Sequence, residues 1–160
     1  MLLSKVNLIV TFLILISIVA CGKKKIETKD PVETKGSLEI ENPYVRLLPP
    51  NTPNTGAFLK IKNTTGEDRK LISAESDICE KVELHTHIKN EKMMKMRKVE
   101  NVPIPNNAGV ELKPGSYHIM LMKLKKDLTE GQKVTIKLTF DNNTQKTIQA
   151  EVKKMSPMKK

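Results

Sequence analysis

Val134-Thr135-Ile136-Lys137-Leu138-Thr139-Phe140 alternates apolar and polar side chains without a break. Successive side chains of a strand point to opposite faces, so the even positions predict a buried face and the odd ones a solvated face. Outward from this run, the segments Leu38–Tyr44, Gly56–Lys62, Arg69–Glu75, Lys81–Ile88, Met93–Val99, Tyr117–Leu124 and Thr147–Val152 also read as strands. Between them lie Pro49-Pro50-Asn51, Asn63-Thr64-Thr65-Gly66, Pro105-Asn106-Asn107-Ala108-Gly109, Pro114-Gly115 and Asp141-Asn142-Asn143. Each is a turn signal with a cause, because proline fixes φ while glycine and asparagine tolerate positive φ. No segment after residue 21 shows a helical period, and no internal repeat is present. Many short strands at this spacing predict an all-β, antiparallel Greek-key sandwich or barrel.

The N-terminus reads differently. Lys5 precedes the apolar run Leu8–Ala20, and Cys21 follows a small residue. One positive charge, a short apolar region and a small residue at the cut compose an export signal. The run of 13 residues is short for a membrane span. Ile18-Val19-Ala20-Cys21 resembles the bacterial lipobox, which implies cleavage of residues 1–20 and acylation of Cys21. Acyl chains would hold the protein at a membrane without a spanning segment. Residues 21–36, charged and broken by Pro31, read as a flexible tether. Residues 37–154 then form one domain, and 155–160 a frayed tail carrying Met155 and Met158.

Composition narrows the function. Lys and Arg number 28 against 18 Asp and Glu, a formal charge of +10. No basic-aromatic motif accompanies that excess in a chain marked for export, so no nucleic-acid partner is expected. Solubility and attraction to anionic headgroups account for the charge. No phosphate loop, zinc-protease motif or nucleophile elbow is present, and no Cys-x-x-Cys pair, so no enzyme is expected. With Cys21 acylated, Cys79 is left alone and reads as a small buried hydrophobe. The chain has eight methionines, five of them between Met93 and Met122, and only five aromatic residues.

Two strands carry the chemistry. In Val82–Ile88, Val82, Leu84 and Ile88 share the core parity, while Glu83, His85 and His87 share the other. In Ser116–Met122, Tyr117, Ile119 and Leu121 face the core, and His118, Met120 and Met122 face away. Methionine usually fills cores, yet here it stands where polar residues are expected. Imidazole with thioether suits Cu(I), whereas zinc more often recruits Cys, His or carboxylates. On parity alone, a Met–His copper site and an apolar surface patch both remain open.

His85, ten residues, Met96, twenty-one residues, His118, one residue and Met120 resemble the signature of the periplasmic copper chaperone family PCuAC. Val82–His87, Met94–Arg97, Lys113–Met122 and Thr55–Asn63 are similar to that family over about residues 38 to 153. The resemblance implies a cupredoxin-like, immunoglobulin-like Greek-key sandwich that binds Cu(I) through His85, Met96, His118 and Met120. It implies an extracytoplasmic, periplasmic, monomeric protein that delivers copper to the CuA centre of cytochrome c oxidase subunit II. It leaves His87 and Met122 as auxiliary positions; His87 reads first as a solvated surface histidine. Copper storage or tolerance, and a metal-free envelope sandwich, are the alternatives. An electron-transfer site needs a cysteine thiolate beside its histidines, and none neighbours His118. Ligands facing away from the core are expected to leave the metal near the surface, where a partner can reach it.

Overall fold

In a computed structural model, residues 36–90 and 93–154 are described. The expected signal segment, Cys21, all of the tether but Gly36, and the tail with Met155 and Met158 lie outside the described residues. The described residues fall within one compact unit.

Ten strands and no helix are described. They are β1 (Leu38–Arg46), β2 (Asn54–Asn63), β3 (Arg69–Glu75), β4 (Cys79–Asn90), β5 (Met93–Lys98), β6 (Val102–Ile104), β7 (Ala108–Leu112), β8 (His118–Leu124), β9 (Lys133–Phe140) and β10 (Gln145–Lys153). The ladder runs β5-β4-β8-β2-β1-β10-β9-β3-β6, with β7 beside the far half of β2. Its two halves enclose one core, in which Ala57, Leu84, Ile119 and Leu121 meet Leu71, Val134, Ile136, Leu138, Phe140 and Val152. Each of these side chains larger than Ala57 contributes about 1.5–3 kcal/mol by leaving water.

The alternation read in β9 holds: Val134, Ile136, Leu138 and Phe140 are fully buried. Each of the five turn clusters supplies a residue with positive φ, at Asn51, Gly66, Asn107, Gly115 and Asn143. One pairing departs from the expected antiparallel pattern, since β1 and β10 run parallel. Within β1, Asn42 takes φ 49° and the register with β2 shifts between Glu41 and Tyr44. Pro43 at that irregularity has no N–H to offer a ladder, which suits a bulge. Beyond it, Tyr44–Arg46 pair with Glu151–Lys153 of β10.

Two strands were hidden from the sequence reading. β6 contains Pro103 and is flanked by Pro105, but it pairs with β3 alone at the end of the ladder, where proline is tolerated. β7 contains Gly109, where an added Cβ would come within 2.1 Å of the Ile61 carbonyl oxygen. Glycine there permits the close approach of β2 rather than a turn.

The two faces of β8 make a direct test. Leu121→Ala should lower the unfolding free energy by about 2–5 kcal/mol. Met122→Ala, one residue on and half-buried on the opposite face, should lower it by less than about 1 kcal/mol. Chemical denaturation of both variants checks this.

Candidate metal centre

The β4–β8 register decides which side chains meet. Val82 lies opposite Leu121 and Leu84 opposite Ile119 on the core side, while Glu83 lies opposite Met120 and His85 opposite His118 on the other. The β4–β5 register sets His87 opposite Met96, and the β2–β8 register sets Gly56 opposite Met120. Two histidines of β4, one methionine of β5, and a histidine and a methionine of β8 therefore share one face. Parity alone had left the orientation of Met96 open; pairing with His87 gives it.

A cleft of about 370 Å³ opens on this face, with His87, Met96, His118 and Met120 among its walls. His85 does not line it, although its ring stands edge-on to that of His118, centroids 5.8 Å apart. The His87 ring lies nearer, at 5.0 Å from His118. His87 is thus half-buried in the cleft wall, against the expectation of a solvated surface histidine. Met122 shares the face but stands opposite Lys81 and Asn54 and does not line the cleft.

The expectation of a shallow site holds at one end only. Met96 is 53% exposed, but His118 is 3% exposed even though it points away from the main core. A second, smaller layer covers it. Phe58 tilts over His118 with centroids 6.2 Å apart, Tyr44 stacks on Phe58 at 5.1 Å, and the Arg46 guanidinium lies 5.5 Å from the Phe58 ring centre. A Cβ at Gly56 would sit 2.9 Å from the Phe58 ring, so glycine at 56 leaves that ring its place. Arg46, Gly56 and Phe58 were not singled out from the sequence, because only strand register brings β2 alongside β8, with β1 next to β2.

Each ring is held by a hydrogen bond. His118 Nδ1 donates to the Ser116 carbonyl at 3.0 Å, and His87 Nδ1 lies 3.4 Å from the same oxygen. His85 Nε2 donates to Glu83 Oε2 at 2.8 Å. His85 Nδ1 is buried and has no partner among the described residues. Burial, first, and the neighbouring His87, His85 and Arg46 push the His118 pKa below 6.5, against the opposing Ser116 hydrogen bond. The ring is neutral at pH 7, the state in which imidazole binds metals. Hydrogen bonds from Lys81 and then His85 bring the Glu83 carboxyl down to about 2. Cys79 is a buried free thiol whose pKa burial raises, the inert state expected of it. Among the described residues, no three or more His, Cys, Asp or Glu side chains are grouped to hold an ion. Met96 and Met120 stand on the same cleft as His87 and His118.

A family model described as "Putative lipoprotein LpqE-like" matches residues 38–152. The chain belongs to this LpqE-like family. It is similar to "Uncharacterized protein RP573" of Rickettsia prowazekii, with 35% identity over 138 residues, 84% of this chain and 76% of that protein. It is also similar to "Putative lipoprotein Lxx21020" of Leifsonia xyli subsp. xyli, with 31% identity over 103 residues, 64% of this chain and 62% of the other. Among solved structures, the copper-bound PCuAC domain from PmoF2 superposes with a TM-score of 0.64 and 21% identity, covering 75% of this chain and 95% of that one. The solution structure of CuI-DR1885 from Deinococcus radiodurans matches with a TM-score of 0.59 and 26% identity, covering 76% and 79%. The cupredoxin-like β fold and the likeness to PCuAC domains read from the sequence are both borne out.

The buried neutral His118 ties stability to pH. Below 6.5 the unfolded chain takes up a proton that the folded ring resists, so this contribution is present above 6.5 and lost as pH falls toward the lower folded value. The metal-free protein should therefore show a Tm that declines as pH drops from about 7 to 5, with a smaller slope in His118→Gln. Differential scanning calorimetry across that range measures both slopes.

Proposed function

We propose that this protein is an extracytoplasmic, lipid-anchored metallochaperone that carries one Cu(I) on His85, Met96, His118 and Met120. The observation that carries the reading is the face itself: the strand registers set His85, Met96, His118 and Met120 on one side of the sheet, and the last three line a cleft there. Two thioethers and two imidazoles are soft and neutral, a donor set that favours Cu(I) over ions preferring oxygen. The likeness to CuI-DR1885 and the copper-bound PmoF2 domain supports copper as the cargo. Anchoring at Cys21 rests on the Ile18–Cys21 motif and agrees with family membership.

The fit goes beyond donor type. With His118 Nδ1 engaged by Ser116, its Nε2 is left to bind metal, and the buried Nδ1 of His85 lacks any partner among the described residues. That orphaned nitrogen favours His85 over His87 as the ligand, leaving His87 as an auxiliary wall of the cleft. Met122, outside the cleft, is the weaker auxiliary.

Release follows from the gradient in exposure. No thiolate is used, so the ion keeps its single positive charge and is held less tightly than by cysteine. Met96 is the open end, where an acceptor's ligand can enter before the buried His118 lets go. The acceptor proposed is the CuA centre of cytochrome oxidase subunit II.

Competition titration of the purified protein should show one Cu(I) per chain. Met120→Ala and His118→Ala should each weaken binding at least tenfold, about 1.4 kcal/mol, and His87→Ala less than tenfold. Unchanged binding in His118→Ala combined with Met120→Ala would sink the proposal. Mixing the Cu(I)-loaded protein with an apo CuA domain and following NMR shifts on both should show copper leaving. Copper that stays would leave binding intact and remove delivery.

A further inference from the structure

We infer that Glu83 is a positioning residue that fixes the tautomer of His85, so that the two histidines of the proposed copper site present different ring nitrogens. The metal part of this inference rests on the copper reading; the tautomers themselves do not.

The two carboxylate oxygens of Glu83 have separate tasks. Oε1 takes the ammonium groups of Lys81 at 2.7 Å and Lys98 at 3.4 Å, while Oε2 takes His85 Nε2 at 2.8 Å. Lys81 and Glu83 lie on β4, and Lys98 lies on β5 directly opposite His85. The Glu83 side chain is only 10% exposed, so this geometry is held within the face rather than splayed into water.

An ionised carboxylate can only accept hydrogen bonds, so the Nε2 atom of His85 must carry the proton. A neutral imidazole then has its lone pair on Nδ1. That atom is buried and meets no donor among the described residues. A buried acceptor without a partner is an unfavourable arrangement unless something is meant to fill it. His118 is set the other way round, because a carbonyl oxygen is also only an acceptor. Its Nδ1 must donate to Ser116, and the lone pair falls on Nε2. The pair opposite one another on β4 and β8 thus offer Nδ1 from one side and Nε2 from the other. A carboxylate or carbonyl behind a metal-binding imidazole fixes its ring and raises its basicity.

Long-range proton–nitrogen NMR of the metal-free protein reads both tautomers directly. The expected result is Nε2–H at His85 and Nδ1–H at His118. Glu83→Ala should release the His85 preference, leave His118 unchanged, and lower Cu(I) affinity about 10–100-fold. Glu83→Gln should restore much of both, since its amide oxygen can accept the same proton. An Nδ1–H tautomer at His85 in the native protein would overturn the inference. So would a Glu83→Ala variant with native tautomers and native Cu(I) affinity. Failure of the native protein to bind Cu(I) would instead remove the copper reading, with the metal-free spectrum still deciding the tautomers.

Discussion

The antiparallel pairing of β4 with β8 is the constraint on which the rest depends. One register sets Leu84 against Ile119 in the core and His85 against His118 on the opposite face. A slip of one residue on either strand would turn that strand's whole set over, burying imidazole in the main core and exposing leucine. The apolar side of this ladder therefore fixes the polar side. Hydrophobic burial is the force, and the alignment of His85 with His118 is its consequence.

What the ladder creates is a graded site rather than an exposed one. Phe58, Tyr44 and Arg46 form a lid over His118, while Met96 on the outermost strand remains open. The inner imidazole of His118 is buried and neutral, and the outer thioether of Met96 is open to solvent. Glu83 adds order at the far end through two lysines and His85. Such a gradient suits an ion that must be held specifically and still be surrendered from one side.

Much of this was legible in the sequence, and the reason is periodicity. Alternation in Val134–Phe140 and in the two donor strands reports directly on faces, because a strand has a period of two. The proline and asparagine clusters reported turns for an equally local reason. Register, by contrast, is a relation between distant segments. Nothing local says that His87 meets Met96, that Phe58 lies beside His118, or that β1 runs parallel to β10. For the same reason a residue that faces away from one core can still be buried by another layer, as His118 is. β6 and β7 were missed because Pro103 and Gly109 carry turn chemistry locally, while an edge position and a close backbone approach explain them in the fold.

The central claim is that a thioether–imidazole set holds the ion. X-ray absorption at the copper edge of the Cu(I)-loaded protein tests it most directly. The account predicts both imidazole nitrogen and thioether sulfur scattering, about two of each, with the sulfur component unchanged in Cys79→Ser. A spectrum with nitrogen and oxygen alone, or with sulfur that disappears on removing Cys79, would contradict it.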